Sequence, residues 1–223
     1  MGWVQRRFGS SIGLKLIMAL SGLGLLGFLL GHLAGNLLIF QGQQAMNAYA
    51  AGLKELPLGL LYVARAGILL LFVVHIFTAF KLQSINSAAR PVAYAHATTI
   101  QASLASRTMI YSGLVILAYL LFHLAHFTWH QVTEVPLLAD GTVDVYNMVI
   151  ASFHQPWIVV TYLVAMVVLG FHLSHGIASF FQTVGLNHSK YNDAYRIGGR
   201  LVAWGLSFGY ISIPVSIWLG FVR

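Results

Sequence analysis

The chain has 223 residues, of which 58% are hydrophobic and 8% charged, with 12 Lys and Arg against five acids and a mean hydropathy of +0.79. A soluble domain of this size carries roughly a quarter charged residues, so a water-soluble fold is excluded and an integral membrane protein is expected. The absence of cysteine excludes disulfides, thiolate ligation of haem, c-type attachment and iron–sulfur ligation.

A membrane span needs about 20 apolar residues. Five stretches qualify in chain order: 16–40, 58–80, 109–129, 157–181 and 201–222. The first is far longer than the ~7–15 apolar residues of a signal peptide, so it reads as a span. The expected fold is one all-α transmembrane domain over residues 1–223, with five helices. Met1–Lys15 mixes Trp3 and Phe8 with Arg6 and Arg7, which suits either a surface-lying segment or a basic tail. The 27 residues from Gln131 to Trp157 carry Pro136 and an Asp-Gly turn at Asp140, and predict a small cap outside the membrane.

Five spans put the two ends of the chain on opposite sides. Arg6, Arg7, Lys15, Lys81, Arg90, Arg107, Lys190, Arg196 and Arg200 share the N-terminal side with one acid, Asp193. The other side holds Lys54, Arg223 and the remaining acids, Glu55, Glu134, Asp140 and Asp144. Charge distributed this way orients a membrane protein with its N-terminus in the cytoplasm, and it argues against nucleic acid as the reason for the net charge of +7. Trp129, Trp157 and Trp218 fall near outer span ends, where amphipathic rings prefer to sit.

An ionisable side chain in hydrocarbon is expensive and needs a reason. Histidines at 32, 75, 123 and 175 each lie near one end of a separate span. Neutral imidazole is a haem iron ligand, each haem takes two axial ligands, and four histidines make two pairs. An internal repeat supports the choice. SGLGLLGFLLGHLA (21–34) and SGLVILAYLLFHLA (112–125) are identical at nine of 14 positions, which sets His123 rather than His126 opposite His32.

Depth gives the same pairing. His32 is 17 residues beyond Lys15 and His123 is 16 beyond Arg107, roughly 25 Å from the inner face at 1.5 Å per residue. His75 comes six residues before Lys81 and His175 seven before Gln182, about 10 Å from that face. The expected pairs are an outer His32/His123 and an inner His75/His175. His126 and His172 are alternatives, each about 5 Å further out than its pair and on a similar helix face, so depth is a preference only. His96, His130, His154 and His188 lie near or beyond the span ends, with His130 and His154 candidates for proton exchange on the outer side.

Smaller features fit flat cofactors. Ser21 and Ser112 precede His32 and His123 by three helical turns, so they share that face at the depth of the inner pair, within reach of a haem edge or propionate. Gly24, Gly27, Gly31 and Gly35 form a small-residue stripe that serves a macrocycle or close helix packing alike. Arg65 lies inside span two, where it either snorkels outward or meets a propionate, since no span contains an acid. Lys15, Lys81, Arg107 and Arg200 either serve the inner propionates or mark the boundary.

The segments LLGHLAGNLLIF, LFVVHIFTAFKL, SGLVILAYLLFHLAHFTWH and LGFHLSHGIASFFQ, covering essentially residues 12–220, give the chain a likeness to a known family. It resembles the dihaem cytochrome b anchor of succinate:quinone oxidoreductases, the five-span single-anchor type that includes bacterial quinol:fumarate reductases. The resemblance implies a haem-binding bundle of the first four spans in a bacterial cytoplasmic membrane. It implies two haem b, with the first and third spans ligating the distal haem and the second and fourth the proximal one. The His-Gly at 175–176 matches the family's fourth ligand. Its partners are a flavoprotein subunit that handles the dicarboxylate, an iron–sulfur subunit, membrane lipid and a quinone, usually menaquinone; oligomerisation of the whole complex stays open. The chain itself carries no dicarboxylate site. Asn36, Gln41, Trp129 and Trp157 are candidates for lining a quinone site beside the outer pair.

One departure concerns protons. Some members carry a glutamate two residues before the fourth ligand, where this chain has Leu173, which leaves Glu55, His126, His130 and Glu134 as weak candidates for proton exchange. Two rival readings remain: the dihaem b subunit of a hydrogenase or formate dehydrogenase, and a haem-free transporter or scaffold.

Overall fold

The computed structural model describes residues 9–89 and 103–223. The basic stretch through Phe8, and residues 90–102 with Arg90 and His96, lie outside the described residues. The structure is helical, and the only extended pairing among the described residues is an isolated bridge between Leu137 and Val143. Its helices are α1 (Ser11–Asn36), α2 (Gln43–Lys54), α3 (Leu60–Ala88), α4 (Leu104–Arg107), α5 (Met109–Phe127), α6 (Val145–Phe153), α7 (Pro156–Thr183) and α8 (Asn192–Trp218).

Five segments are long and apolar enough to cross a membrane: Ser11–Gln41, Pro57–Ala88, Met109–Phe127, Pro156–Thr183 and Asn192–Trp218. The chain is therefore a multi-pass membrane protein. Local chemistry sets the ends. Ser10 caps α1 by accepting from the Gly13 amide at 3.1 Å. Pro156 opens α7, where its missing N–H costs nothing. Gly42, at φ 94°, makes the turn into α2 that an L side chain resists.

The helices pack through small residues. A Cβ on Gly24 of α1 would stand 2.8 Å from Leu71 of α3, one on Gly170 of α7 2.9 Å from Trp204 of α8, and one on Gly209 of α8 2.7 Å from Leu33 of α1. With no apolar effect to drive association in lipid, close backbone approach is the available source of attraction. In contrast, α3 turns Val63, Leu70, Val73 and Phe77 outward, as a lipid-facing surface requires.

The best-packed core sits at the end away from Ser11. Ile39, Met46, Ile150, Phe153, Ile158, Tyr162, Ile213 and Ile217 form one cluster that joins α2 and α6 to the ends of α7 and α8. The segment expected to form a cap thus contains a helix, α6, docked on the bundle.

Asp144 fastens this cap. It is buried, and it accepts from Gln43 Nε2 at 2.7 Å, Asn47 Nδ2 at 2.9 Å, the Asn147 amide at 3.1 Å and Asn147 Nδ2 at 2.6 Å. Burial raises its pKa, but the hydrogen bonds from Asn47, Asn147 and Gln43 outweigh that and hold the carboxyl below its ordinary value. Asp144→Ala therefore removes a helix cap and the shared acceptor of Gln43, Asn47 and Asn147, a loss of roughly 2 kcal/mol that shows as a lower thermal midpoint in detergent. A depressed folded-state pKa stabilises above the ordinary carboxylate value. The wild-type advantage over Asp144→Ala should persist at neutral pH and vanish on acidification through the folded value.

Candidate functional site

The intramembrane histidines converge in pairs. At the inner level, the rings of His75 on α3 and His172 on α7 lie 6.5 Å apart between centroids, at 64°. Each is held by a serine from the duplicated segment. Ser21 Oγ is 3.1 Å from His75 Nδ1, and Ser112 Oγ is 3.0 Å from His172 Nδ1.

Proton accounting fixes the direction of both contacts. Ser21 Oγ donates its one proton to the Met18 carbonyl at 3.1 Å, and Ser112 Oγ donates to the Met109 carbonyl at 3.0 Å. Each hydroxyl must then accept from histidine for every contact to be made, so Nδ1 of His75 and His172 carries the proton. That tautomer leaves the Nε2 lone pair unprotonated and available to a metal. The neighbouring glycines complete the unit. A Cβ on Gly22 would press to 3.3 Å of His75 Cε1, and one on Gly113 would reach 3.6 Å from His172 Cε1. The Ser-Gly of the repeat thus supplies an acceptor and a space for the ring.

The serines were expected near a haem edge, and their observed contact is with the inner histidines. Of the two candidate histidines of span four, the alternative makes the ring contact with His75. The structure turns His172 toward His75, while His175 makes no hydrogen bond or ring contact among the described residues. The reason is helix length. Lys81 and Gln182 are not equivalent boundaries, because α3 runs on to Ala88 while α7 stops at Thr183. Counted from the helix ends, His75 is 13 residues in (88 − 75), His172 is 11 (183 − 172) and His175 is 8 (183 − 175).

At the outer level, His32 on α1 and His123 on α5 lie 5.9 Å apart between ring centroids, at 86°. Phe28 stacks on His32 at 5.2 Å. His123 Nδ1 is 3.2 Å from the Tyr162 hydroxyl of α7. His126, one turn further along α5, is 1% exposed and has both nitrogens engaged, Nδ1 with Tyr162 at 3.0 Å and Nε2 with Ser152 Oγ at 2.9 Å. It has no free lone pair to give, whereas His32 and His123 keep Nε2 uncommitted.

These pairs fit a bis-histidine metal group. A metal–imidazole bond of about 2 Å on each side puts two opposed ring centroids roughly 6 Å apart, which is the spacing of both pairs. No group of three or more His, Asp or Glu that could hold a metal ion converges among the described residues; the intramembrane imidazoles meet as the two ring pairs above. A surface groove beside Ser112 is walled by Tyr111, Val115, Val168 and Phe171 and includes neither His75 nor His172.

Other expected residues are more dispersed. Lys15, Lys81, Arg107 and Arg200 are exposed, all toward the Ser11 end. Arg65 is also exposed, with its guanidinium carbon 6.0 Å from the Tyr62 ring centroid. Of the small-residue stripe, Gly24 and Gly35 lie against Leu71 and Tyr49, while Gly27 and Gly31 face open space. No hydrogen bond or ring contact among the described residues joins Asn36, Gln41, Trp129 and Trp157. Trp129 and Trp157 are 56% and 52% exposed, as interfacial rings are. Tyr162 and Ser152 went unread in the sequence, because a lone tyrosine in a span and a serine in a loop carry no local signal.

No protein-family model, curated protein or solved structure matches the chain.

Proposed function

We propose that this chain is the haem-bearing membrane anchor of a succinate:quinone oxidoreductase. In this reading it joins an iron–sulfur subunit on its cytoplasmic, N-terminal face to quinone in a bacterial cytoplasmic membrane. The observation that carries the reading is two histidine couples in an apolar bundle: His75, His172 and His123 are held at Nδ1, and no hydrogen bond among the described residues engages Nε2 of these three or either nitrogen of His32. The resemblance to dihaem anchors supplies the reaction and the partners.

His75 and His172 would hold the inner haem b, and His32 and His123 the outer one. Bound haem supplies reversible one-electron carriage, which no side chain here provides. The protein's own contribution is placement. Ser21 and Ser112 fix the tautomer and plane of the inner histidines, and Tyr162 does so for His123. The cations at the Ser11 end, Lys15, Lys81, Arg107 and Arg200, suit haem propionates or an acidic docking partner. Menaquinone or another quinone would react near the outer pair, with Asn36, Gln41, Trp129 and Trp157 as the polar and flat groups available there.

Affinity purification of the chain from its native membrane tests the assignment. Co-purification with a flavoprotein and an iron–sulfur subunit, and reduction of its visible absorbance by succinate, is the expected result. A haem-containing preparation that carries hydrogenase or formate dehydrogenase subunits instead would keep the haem sites and reject the reaction. A colourless preparation would reject both.

A further inference from the structure

The inner and outer histidines are held in different ways. Each inner ring rests on one serine of an adjacent span. His123 instead heads a run of side chains that passes through Tyr162 and His126 to Ser152 on α6 and Thr133 in the segment between α5 and α6.

Proton accounting gives this run a single direction. Ser152 Oγ donates to the Met148 carbonyl at 2.7 Å. Having spent its proton, Ser152 accepts from Thr133 Oγ1 at 3.3 Å and from His126 Nε2 at 2.9 Å. With Nε2 protonated, neutral His126 must accept at Nδ1, and the donor is the Tyr162 hydroxyl at 3.0 Å. Tyr162 then has only oxygen lone pairs to offer His123, 3.2 Å away, so His123 donates from Nδ1. The tautomer of His123 is thereby set by a serine on the external cap helix, three hydrogen bonds away.

We infer that Tyr162 and His126 are positioning residues that orient His123 and raise the electron-donating power of its Nε2, so that the outer metal site is tuned separately from the inner one and through the docked cap. The inference rests on the haem reading above. A donated Nδ1 hydrogen bond makes imidazole a stronger donor and favours the oxidised form of a bound iron, which lowers its potential. Breaking the bond at Tyr162 should raise the potential of one haem and leave the other unmoved. The side chains themselves supply a control. Glutamine at 126 offers an acceptor to Tyr162 and a donor to Ser152, as His126 does, whereas leucine of similar bulk offers neither.

The test is a potentiometric titration of the visible haem bands in the intact complex, with haem content measured on each variant. Tyr162→Phe and His126→Leu should each retain two haems and shift one potential upward. About a tenfold change in the oxidised-to-reduced preference is expected, which is about 59 mV for one electron. His126→Gln should titrate as the wild type does. Two retained haems with unshifted potentials in both Tyr162→Phe and His126→Leu would overturn the inference and leave the haem reading intact. Loss of a haem in His126→Leu together with His126→Gln would make His126 a ligand and overturn it as well. If Tyr162→Phe does not assemble, the contrast between leucine and glutamine at 126 decides alone. A wild-type complex without haem rejects the underlying reading instead.

Discussion

His172→Leu should lower the haem content from two per chain to one, while His175→Leu should leave both. His172 is the span-four histidine that faces His75, and its Nδ1–H is held by Ser112 at 3.0 Å with Nε2 left over. His175, one turn further along α7, has no such support. Leucine at 172 removes the ligand and strands the Ser112 hydroxyl, which still has the Met109 carbonyl as its acceptor, so the bundle itself should survive. The pyridine haemochrome assay per mole of protein reads the outcome directly. Loss of haem in His175→Leu alone would favour the His-Gly resemblance over the ring geometry. The serine dependence adds a graded check. Ser112→Ala should weaken haem retention at the inner site by roughly 10–100-fold, the usual cost of losing a partner that orients a ligand.

His32→Ala should have the largest effect on turnover. It removes one member of the outer pair, and with it the haem placed next to the proposed quinone site. Quinone-coupled turnover should fall to background, while succinate oxidation with an artificial acceptor continues in the soluble subunits. The cost to folding should be small, since His32 makes ring contacts with Phe28, His123 and Tyr210 but no hydrogen bond among the described residues. Normal reduction of a menaquinone analogue by this variant would move the quinone reaction elsewhere, most naturally toward the iron–sulfur face.

The spans were legible because hydrocarbon leaves few options. Every backbone group must be satisfied within the segment, so a long apolar run is a helix before any packing is considered. His32, Ser21, His123 and Ser112 stood out through the repeat, and the structure sets these serines and histidines in hydrogen-bond and ring contacts. The ring contact between His75 and His172 was not legible. Choosing between His172 and His175 depends on where helices end, and α3 continues seven residues past Lys81 through polar positions such as Gln83 and Asn86 that read as loop. The hydrogen-bond run from His123 to Thr133 was also hidden. It joins α5, α6, α7 and a loop, and nothing local to Tyr162 or Ser152 announces a partner three elements away. The cap was legible from its turn residues, but its helix α6 was not, because the burial of α6 depends on α2, to which Asp144 ties it.

The central claim is that two histidine pairs in this bundle each hold one haem. The most direct measurement is the haem-to-protein ratio of the purified wild-type complex, by pyridine haemochrome against quantitative amino-acid analysis. The account predicts two b-type haems per chain. A ratio near one would mean that only one pair is a metal site, and a ratio near zero would contradict the account entirely.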